Sequence, residues 1–387
     1  MLNAMYSGIS GLNANQKKLD VIGNNIANSG TTSFKGSRVT FQDSMRQSMS
    51  KATGSSLNMG GTNPKQIGMG VQLQSIDVNM GQGNLQPTGR PLDVAIDQDG
   101  YFVVSKGPIG GTIDLNNQFI NGGEMENFFT RDGAFKLTSE GYLVTPNGYR
   151  VMGYSMNTYK NDGTADKTSV QHEIEVELKD KEGKPVLDAE GNPVKVKKTV
   201  VNYIDADGNF KASGMDKDGK INDAKLIPLV IPEEVTKTVE VDEIDENTGK
   251  PTGNKITKEV QFRIQSYSIE KDGLLKATLS DGSVTVIGQL AMASFNNTGG
   301  LEAVGQNMYN PTSNSGAAII RTGKGAAKDV DNSKAYGDMI QGCLEMSNVD
   351  LAEQFTDMIV ASRSFQACSK VITTGDEILQ ELVNLKR

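Results

Sequence analysis

The distribution of proline constrains the fold of this chain more than any other feature of its sequence. All 11 prolines lie between Pro64 and Pro311, so both ends of the 387-residue chain contain none. A proline in a helix interior costs about 3 kcal/mol, so the two ends are free to form long uninterrupted helices. The middle is instead rich in turns, because glycine occurs 43 times and the dipeptide Asp-Gly seven times. Turn signals between short apolar stretches predict β-hairpins.

Apolar residues recur at helical spacing in both proline-free ends. In the C-terminal end they follow one another every seven residues, at Leu344, Leu351, Met358, Phe365, Ile372 and Leu379. The partner row, four residues further on, is half polar or small and consists of Asn348, Phe355, Ser362, Ser369, Asp376 and Val383. In the N-terminal end the apolar positions are Leu2, Met5, Ile9, Leu12, Leu19, Ile22 and Ile26. Sevens repeated in this way predict a seam that faces another helix.

Composition distinguishes the two ends of the chain from the segment next to the N-terminal end. Residues 1–28 and 342–387 are predicted to form a helical terminal domain, in which the two long helices pair like a coiled coil. Residues 29–74 are rich in Asn, Ser, Thr, Gly, Gln and Met, with few repeating apolar positions. This composition predicts an extended connector with little core of its own.

The central region is predicted to consist of two mainly β domains. Residues 75–155 and 288–341 carry short apolar strands separated by turn signals, which predicts an inner β domain. Residues 156–287 are denser in charge and alternate apolar with polar side chains, as strands with one solvated face do. They are predicted to form an outer β domain inserted in the inner one. The predicted fold class is therefore α+β and multidomain.

Composition also excludes several classes of function. A net charge of −8 and a pI near 5.0 argue against an electrostatic grip on nucleic acid or on an anionic membrane. The single histidine, His172, leaves no pair for a two-histidine metal site. Asp205 and Asp216 each open a pattern similar to a calcium loop, but both lack the required glycine and glutamate further on. No catalytic, cofactor-binding or metal-binding residues are predicted.

The cysteines and the start of the chain bear on its compartment. Cys343 and Cys368 share the predicted C-terminal helix, where they would lie about 37 Å apart. They are therefore predicted to be two small buried residues and not a disulfide. The N-terminus lacks the basic and apolar regions of a secretory signal peptide, and no run of 18 apolar residues occurs. These features predict no membrane insertion, and either a cytosolic protein or export without a cleaved signal.

Two paired helices would leave much of their apolar surface uncovered. Burying one Leu, Ile or Phe side chain is worth about 1.5–3 kcal/mol, and a pair can cover only one stripe on each helix. More copies of the same pair would cover the rest, which favours polymerisation. Ordinary pairing of the two ends within one chain is the alternative.

Short motifs in both ends of the chain and in its central region form one set. Residues 5–12 (MYSGISGL), 19–28 (LDVIGNNIAN) and 32–36 (TSFKG) lie in the N-terminal part. The C-terminal part carries 347–351 (SNVDL) and 358–365 (MIVASRSF), and the central region carries 91–96 (PLDVAI) and 99–102 (DGYF). Together these motifs resemble the terminal signatures and the shared β domain of the rod and hook family, the axial proteins of the bacterial flagellum, with Ser33 where that family commonly has Gly.

The resemblance implies a self-assembling tube, exported by the flagellar type III apparatus and located extracellularly in the hook or basal body. The large insertion 156–287, which rod members generally lack, favours the hook branch, a universal joint that transmits torque from rod to filament in motility. The implied partners are further copies of the chain in a helical homopolymer, the distal rod protein, the hook cap and the hook–filament junction proteins. No cofactor is implied.

The residues expected at the assembly interface are the apolar members of the two helical patterns. These are Leu2, Met5, Ile9, Leu12, Leu19, Ile22, Ile26, Leu344, Leu351, Phe355, Met358, Phe365, Ile372 and Leu379. The connector is expected to work through Phe34, Lys35, Gly54, Gly60 and Gly61, because glycine allows wide backbone excursions at little cost.

Two other functions remain open from the sequence. One is a distal rod subunit of the basal body, which is stiffer than a hook subunit. The other is a secreted β-rich protein outside the flagellum, such as an adhesin. An enzyme is not expected, because no acid–base or nucleophile set stands out.

Overall fold

The chain divides into two units: its two ends together form one unit, and the residues between them form the other. The terminal unit comprises Met1–Asn84 and Met346–Arg387, and the β unit comprises Leu85–Glu345. The computed structural model describes residues 2–54, 60–107, 112–114, 119–121, 126–159, 165–168, 172–177, 195–206, 210–212, 226–244, 251–320 and 337–385. The fold is mostly β, with one long helix at each end of the chain, so it belongs to the broad α+β class.

The terminal unit contains both long helices and four strands. Helix α1 spans Leu2–Ala27 and helix α2 spans Leu351–Leu385. The strands are β1 (Ser37–Asp43), β2 (Arg46–Ser50), β3 (Lys65–Gly68) and β4 (Val71–Val78). Neither helix is long and apolar enough to span a membrane, as far as the described residues extend.

Helix α2 begins later than the sequence predicted, and this corrects the placement of Leu344. The Asp350 carboxylate accepts hydrogen bonds from the backbone N–H groups of Ala352 (2.8 Å) and Glu353 (3.4 Å), which makes Asp350 the N-cap. Leu344 lies before this cap, in a strand that pairs with residues 85–87. Gly342, with a φ of 74°, turns the chain just ahead of that strand.

The segment predicted as an extended connector is extended, but it also pairs with itself. Strand β1 runs antiparallel to β4, and β2 runs antiparallel to β3. Residues 37–54 and 60–78 together form one two-stranded ribbon, to which an isolated bridge between Thr53 and Thr62 also belongs. The sequence did not reveal this pairing, because the ribbon has no continuous apolar alternation on both strands. Whether residues 29–74 act as a separate connector remains a prediction.

The β unit is built from 24 short strands within its described residues. They are β5 (Leu85–Pro87), β6 (Val94–Ile96), β7 (Tyr101–Lys106), β8 (Thr112–Asp114), β9 (Phe119–Asn121), β10 (Glu126–Thr130), β11 (Lys136–Leu137), β12 (Leu143–Val144), β13 (Arg150–Tyr159), β14 (Ala165–Thr168), β15 (His172–Glu177), β16 (Lys195–Asn202), β17 (Phe210–Ala212), β18 (Ile227–Pro228), β19 (Glu234–Ile244), β20 (Pro251–Ile269), β21 (Leu274–Leu279), β22 (Val284–Leu290), β23 (Met292–Ser294), β24 (Glu302–Gly305), β25 (Met308–Asn310), β26 (Ile319–Ile320), β27 (Met339–Gln341) and β28 (Cys343–Glu345). A single 3₁₀ turn, Thr298–Gly300, interrupts the described strands.

Strand β13 connects the two regions that the sequence assigned to separate β domains. It pairs antiparallel with β7 at its start, with β22 in its middle and with β17 towards its end. The predicted boundaries at 155/156 and 287/288 therefore fall inside strands β13 and β22.

One buried cluster joins the same two regions. Val104, Phe135 and Val151 from the predicted inner domain pack in the same core as Leu275 and Ile287 from the predicted insertion. The charge density of 156–287 did not show that part of it closes this core. Much of the remaining insertion lies outside the described residues, and the division into inner and outer β domains stays a prediction.

Candidate assembly interface

Helices α1 and α2 pack against each other in antiparallel orientation. Gly8 and Gly11, near the start of α1, lie against Ile372 and Cys368 in the second half of α2. Near the other end of the pair, the Asn25 side chain donates a 3.0 Å hydrogen bond to the Gln354 side-chain oxygen. Residue numbers thus rise along α1 as they fall along α2.

Small residues let the two helices approach closely. A Cβ atom added to Gly11 would lie 2.9 Å from the Cys368 Sγ, and one added to Gly8 would lie 3.2 Å from a carbon of Ile372. A Cβ on Gly375, in α2, would meet the Met5 side chain at 3.1 Å. A side chain at Gly11 would therefore force a shift in the seam, and one at Gly8 or Gly375 would require the neighbouring side chain to move by a few tenths of an ångström.

The seven-residue row on α2 lies where a seam requires it, but its partner row differs from the prediction. Met358, Phe365, Ile372 and Leu379 are all half-buried. The second row consists of Gln354, Ala361, Cys368 and Gly375, each one residue before a member of the predicted row. Of the predicted partners, Phe355 is instead half exposed and Val383 is exposed. A count of large apolar residues missed the true row, because its members are small or polar.

The predicted residues of α1 occupy three different environments. Ile22 is buried, and Met5, Leu12, Leu19 and Ile26 are half-buried. Ile9 is exposed. The side chain of Leu2 lies outside the described part of the chain.

Both helices also carry large apolar side chains that nothing in the described chain covers. They are Tyr6 and Ile9 on α1, and Leu351, Phe355, Ile359, Val360, Val371, Ile378, Leu382, Val383 and Leu385 on α2. Leu351, Phe355 and Ile359 follow one another at four-residue intervals and so form a row on one side of α2, and exposed apolar patches of this kind often mark interaction sites. We call this set of residues the open helical surface.

A group of buried polar contacts holds the base of the terminal unit together. The buried Lys35 ammonium donates a 2.8 Å hydrogen bond to the Gly81 carbonyl, and the Asn348 amide donates to the same oxygen at 2.9 Å. The Asn25 amide and the Ser37 backbone exchange two hydrogen bonds, of 2.8 and 3.0 Å. These contacts tie the end of α1 and the base of the ribbon to the segment that leads into α2.

The other predicted connector residues have simpler surroundings. Phe34 is half-buried, and Gly54, Gly60 and Gly61 are exposed. A Cβ atom on Gly54 or Gly60 would meet nothing within 4 Å. Ser33 has a φ of 56°, a left-handed conformation that favours glycine over residues with a Cβ atom.

The described residues contain no cluster of side chains that could hold a metal ion. No three His, Cys, Asp or Glu side chains come together among them. Both cysteines are free thiols, and both are half-buried, although Cys343 lies in β28 and not on the helix that the sequence predicted.

Comparisons with known proteins match three parts of the chain to family models. Residues 5–35 match "Flagella basal body rod protein", and residues 340–385 match "Flagellar basal body rod FlgEFG protein C-terminal". Residues 118–277 match "Flagellar hook protein FlgE/F/G D1 domain".

Similar whole proteins come from both branches of that group. The chain is 31% identical over 466 aligned residues to the flagellar hook protein FlgE of Borreliella burgdorferi, with 100% of each chain covered. It is 34% identical over 387 residues to the flagellar basal-body rod protein FlgG of Bacillus subtilis, again with 100% of each covered. A crystal structure of the Helicobacter pylori flagellar hook protein FlgE2 is similar at 14% identity and a TM-score of 0.38, covering 67% of this chain and 100% of that one.

Proposed function

The chain belongs to the flagellar hook and rod protein family, and from this premise we propose that it is a structural subunit of the flagellar hook. In this proposal many copies assemble into a flexible curved tube, the universal joint that passes motor torque from rod to filament. The observation that carries the proposal is the open helical surface. Its large apolar side chains are stable in water only if neighbouring copies cover them.

The contacts of the two helices suggest a division of labour among the residues. Met358, Phe365, Ile372 and Leu379 face the seam and hold α1 and α2 together as a coiled-coil-like pair. Leu351, on the open helical surface, remains available to a second copy. The assembly interface is thus narrower than the full apolar pattern of the helices.

The hook is the first choice and the rod is the second. The β unit between the two helices in the sequence is large, as expected for the hook branch, and a hook relative aligns over the whole chain. The rod alternative is favoured by the 387-residue alignment with the rod protein of Bacillus subtilis, which covers this chain without leaving any part of it unmatched.

The ribbon and its base supply a mechanism for bending. A rotating bent tube must lengthen and shorten along each row of subunits, so stiff parts must slide against one another. We assign the compliance to the exposed part of the ribbon around Gly54 and Gly60, and the anchoring to the buried Lys35. The role is structural and not catalytic, and the rod, cap, junction and export partners named above belong to the same proposal.

Assembly is tested by placing a charge on the open helical surface. Leu351→Asp and Phe355→Asp should abolish polymer, because each carboxylate would be buried against a neighbour without a partner. The monomer should keep its helical signal, since an acidic residue in the first turns of a helix is favoured by the helix dipole. Gln366→Asp is the matched control, because Gln366 is exposed beside Arg363 and Lys370, and its neighbours one turn away on α2 lie outside the open helical surface. Polymer seen by negative-stain microscopy from both Leu351→Asp and Phe355→Asp would contradict the proposed interface.

The choice between hook and rod is tested in the cell that makes the protein. Deleting the gene and imaging the basal bodies by electron microscopy should show rods without hooks. Loss of the rod as well would support the rod subunit, and intact flagella would exclude both.

A further inference from the structure

Two rows of residues with the same seven-residue repeat face each other across the seam between α1 and α2. The row on α1 consists of Gly11, Lys18 and Asn25, and the row on α2 consists of Cys368, Ala361 and Gln354. The α2 row continues with Gly375, so three of its four members are small. A shift of α2 by seven residues, about 10 Å along its axis, would again place small side chains against α1. Packing of the small residues alone therefore does not select one register of the pair.

The Asn25 side chain distinguishes the observed register from a shifted one. Asn25 is 1% exposed, and its amide donates hydrogen bonds to the Gln354 side-chain oxygen (3.0 Å) and to the Ser37 carbonyl (2.8 Å). If α2 moved by seven residues towards the C-terminal end of α1, Asn25 would face Ala361, which offers no side-chain acceptor. A buried amide that loses a hydrogen bond destabilises the state in which the bond is lost.

Asn348 holds the segment before α2 at the same place. Its side-chain oxygen accepts a 2.9 Å hydrogen bond from the Gly36 backbone N–H, and its amide donates to the carbonyls of Asn79 (2.8 Å) and Gly81 (2.9 Å). A Cβ atom on Gly36 would lie 3.5 Å from the Asn348 Oδ1 and 3.9 Å from the Asn25 Oδ1, so both asparagines meet at the base of the ribbon. We call Asn25, Asn348 and Gln354 the polar junction.

The register of the pair determines how far α2 extends beyond α1. Because Gly11 lies against Cys368, Leu2 is level with residue 377, and residues 378–385 extend past it. The members of the open helical surface in this stretch are Ile378, Leu382, Val383 and Leu385. In the shifted register Leu2 would be level with residue 384, and nearly the whole stretch would lie beside α1.

We infer that the polar junction sets the register of the two helices and so keeps residues 378–385 beyond the start of α1. In coiled coils a single buried asparagine can specify register in this way. The ion pair of Lys18 with Asp357 (3.3 Å) fits the same register, but it is more exposed and contributes less. The register itself concerns only the folded monomer. One further step rests on the proposed function, namely that the free stretch of α2 takes part in assembly.

Disulfide formation with Cys368 reports the register in the full-length monomer. All proteins carry Cys343→Ser, so that Cys368 is the only native thiol. Gly11→Cys reports the observed register, because its Cβ atom would lie 2.9 Å from the Cys368 Sγ, close to the distance of about 3 Å across a disulfide. Lys18→Cys reports the shifted register, since it lies about 10 Å from Cys368 along the axis in the observed one, too far for a disulfide.

A glutathione buffer lets the linked and open forms of each protein equilibrate, and peptide mass spectrometry measures their ratio. With the junction intact, Gly11→Cys should link and Lys18→Cys should stay open. In the background N25L/N348L, linking of Lys18→Cys relative to Gly11→Cys should rise about tenfold, as the loss of buried hydrogen bonds would give. Ile22→Ala is the control, because it removes a buried apolar side chain from α1. It should lower stability and leave the linking ratio unchanged.

Relocating the glutamine decides the matter if N25L/N348L does not fold. Q354A/A361Q moves the acceptor of Asn25 seven residues along α2, and N348A releases the segment before the helix. The combined variant should favour Lys18→Cys linking, because Asn25 finds its partner only in the shifted register.

Three results would overturn the register assignment. The first is exclusive Gly11→Cys linking in folded N25L/N348L, which would show that packing alone sets the register. The second is an equal change of the ratio in Ile22→Ala, which would trace the shift to a general loss of stability. The third is an unchanged ratio after the glutamine has been moved.

Polymer formation tests the step that rests on the proposed function. N25L/N348L should raise the concentration needed for polymer about tenfold, whereas Gly11→Cys linked to Cys368 should assemble like the wild type. Wild-type assembly by a chain in the shifted register would overturn the role of residues 378–385. A wild-type chain that never polymerises would overturn the proposed function and leave the register result standing, because the linking ratio is measured on monomers.

Discussion

The two units of this protein complete their cores to different degrees. In the β unit, the side chains of Val94, Phe102, Phe135, Leu143 and Val286 are fully buried, together with many neighbours. In the described part of the terminal unit, the buried hydrophobic side chains are those of Ala14, Ile22 and Ala361. The open helical surface belongs to this same unit.

The difference shows where each unit obtains its stability. The β unit can fold on the strength of contacts within its own chain, because its apolar side chains already exclude water. In the terminal unit, one close-packed seam holds the two helices together, and large apolar side chains outside the seam stay exposed. Burying each of these side chains against a neighbour would contribute about 1.5–3 kcal/mol. A subunit built in this way would keep a rigid body during assembly while its ends respond to neighbours.

The two units can be followed separately by spectroscopy. Nine of the ten tyrosines lie between residues 85 and 345, and the tenth is Tyr6. Near-UV circular dichroism therefore reports mainly on the β unit, and the far-UV helical signal reports on α1 and α2.

The largest difference in stability between the two units is expected when the buried ion pair of the β unit is broken. The Arg131 Nε donates a 2.8 Å hydrogen bond to Glu345 Oε2, and both side chains are almost completely buried. Arg131→Met would leave the Glu345 carboxylate buried without this partner, which costs about 3–5 kcal/mol. We expect the tyrosine-detected urea midpoint to fall and the helical midpoint to stay.

Two matched variants separate this pair from a general effect of charge. R131M/E345L should recover most of the loss, since no unpaired charge remains. Lys271→Met breaks the exposed pair of Lys271 with Asp338 (3.3 Å) and should cost less than about 1 kcal/mol. An equal fall of both midpoints in Arg131→Met would show that the two units do not unfold independently.

A smaller loss of stability is expected from changes at the helix seam, and it should fall on the terminal unit instead of the β unit. Gly11→Ala places a Cβ atom 2.9 Å from the Cys368 Sγ, so the Cys368 side chain or the helices must shift, at a cost of about 1–3 kcal/mol. The urea midpoint of the helical signal should fall, whereas the urea midpoint of the tyrosine signal should stay unchanged. Gly23→Ala is the matched control, because its Cβ would meet nothing within 4 Å. Ala favours a helix over Gly by about 0.5–1 kcal/mol, so this control should stabilise α1.

The seam assignment has its own rescue test. Adding Cys368→Ala to Gly11→Ala removes the sulfur that the new methyl group would meet, so part of the lost helical stability should return. If Gly11→Ala and Gly23→Ala behave alike, the close approach of the helices at Gly11 is wrong.

The contrast between units also explains which features the sequence could predict. Both helices and the row Met358, Phe365, Ile372 and Leu379 followed from spacing, because large apolar residues at regular intervals are visible in any helix. The true partner row was missed, since Ala361, Cys368 and Gly375 matter through their small size and not their hydrophobicity. The family was recognisable in the sequence because its motifs at the two ends of the chain are continuous in sequence, and the comparisons confirmed it.

Long-range pairing was harder to predict than helices. Leu344 fitted the seven-residue repeat of the helix. It lies instead in a strand, where it pairs with Gln86, a residue distant in the sequence. The Asp350 cap was visible in the sequence as an acidic residue before an apolar run, and it was the signal that could have corrected this error. The pairing of β13 with β22 likewise depends on contacts between distant residues, which composition does not record.

The smallest effect is expected at the surface of the β unit, and it depends on pH. Asp281 accepts a 2.7 Å hydrogen bond from Lys237, and the hydrogen bonds from Lys237 and Ser283 lower the pKa of Asp281 from 3.8 to about 2. Because the folded pKa is the lower one, the pair stabilises the protein above pH 3.8, and this contribution is lost as the pH falls towards 2. About a quarter of each side chain is exposed, so the contribution is below about 1 kcal/mol.

Asp281→Asn measures this contribution against the wild type across the same pH range. At neutral pH the tyrosine-detected urea midpoint of the variant should be slightly lower than that of the wild type. Below pH 2 the two midpoints should be equal. Asp338→Asn is the control, because Asp338 pairs with Lys271 in a more exposed position and should leave the midpoint almost unchanged. The helical midpoint should not respond to either change, since Asp281 and Asp338 both lie in the β unit. A pH-independent loss in Asp281→Asn would show that the aspartate acts through its hydrogen bond with Ser283 and not through its charge.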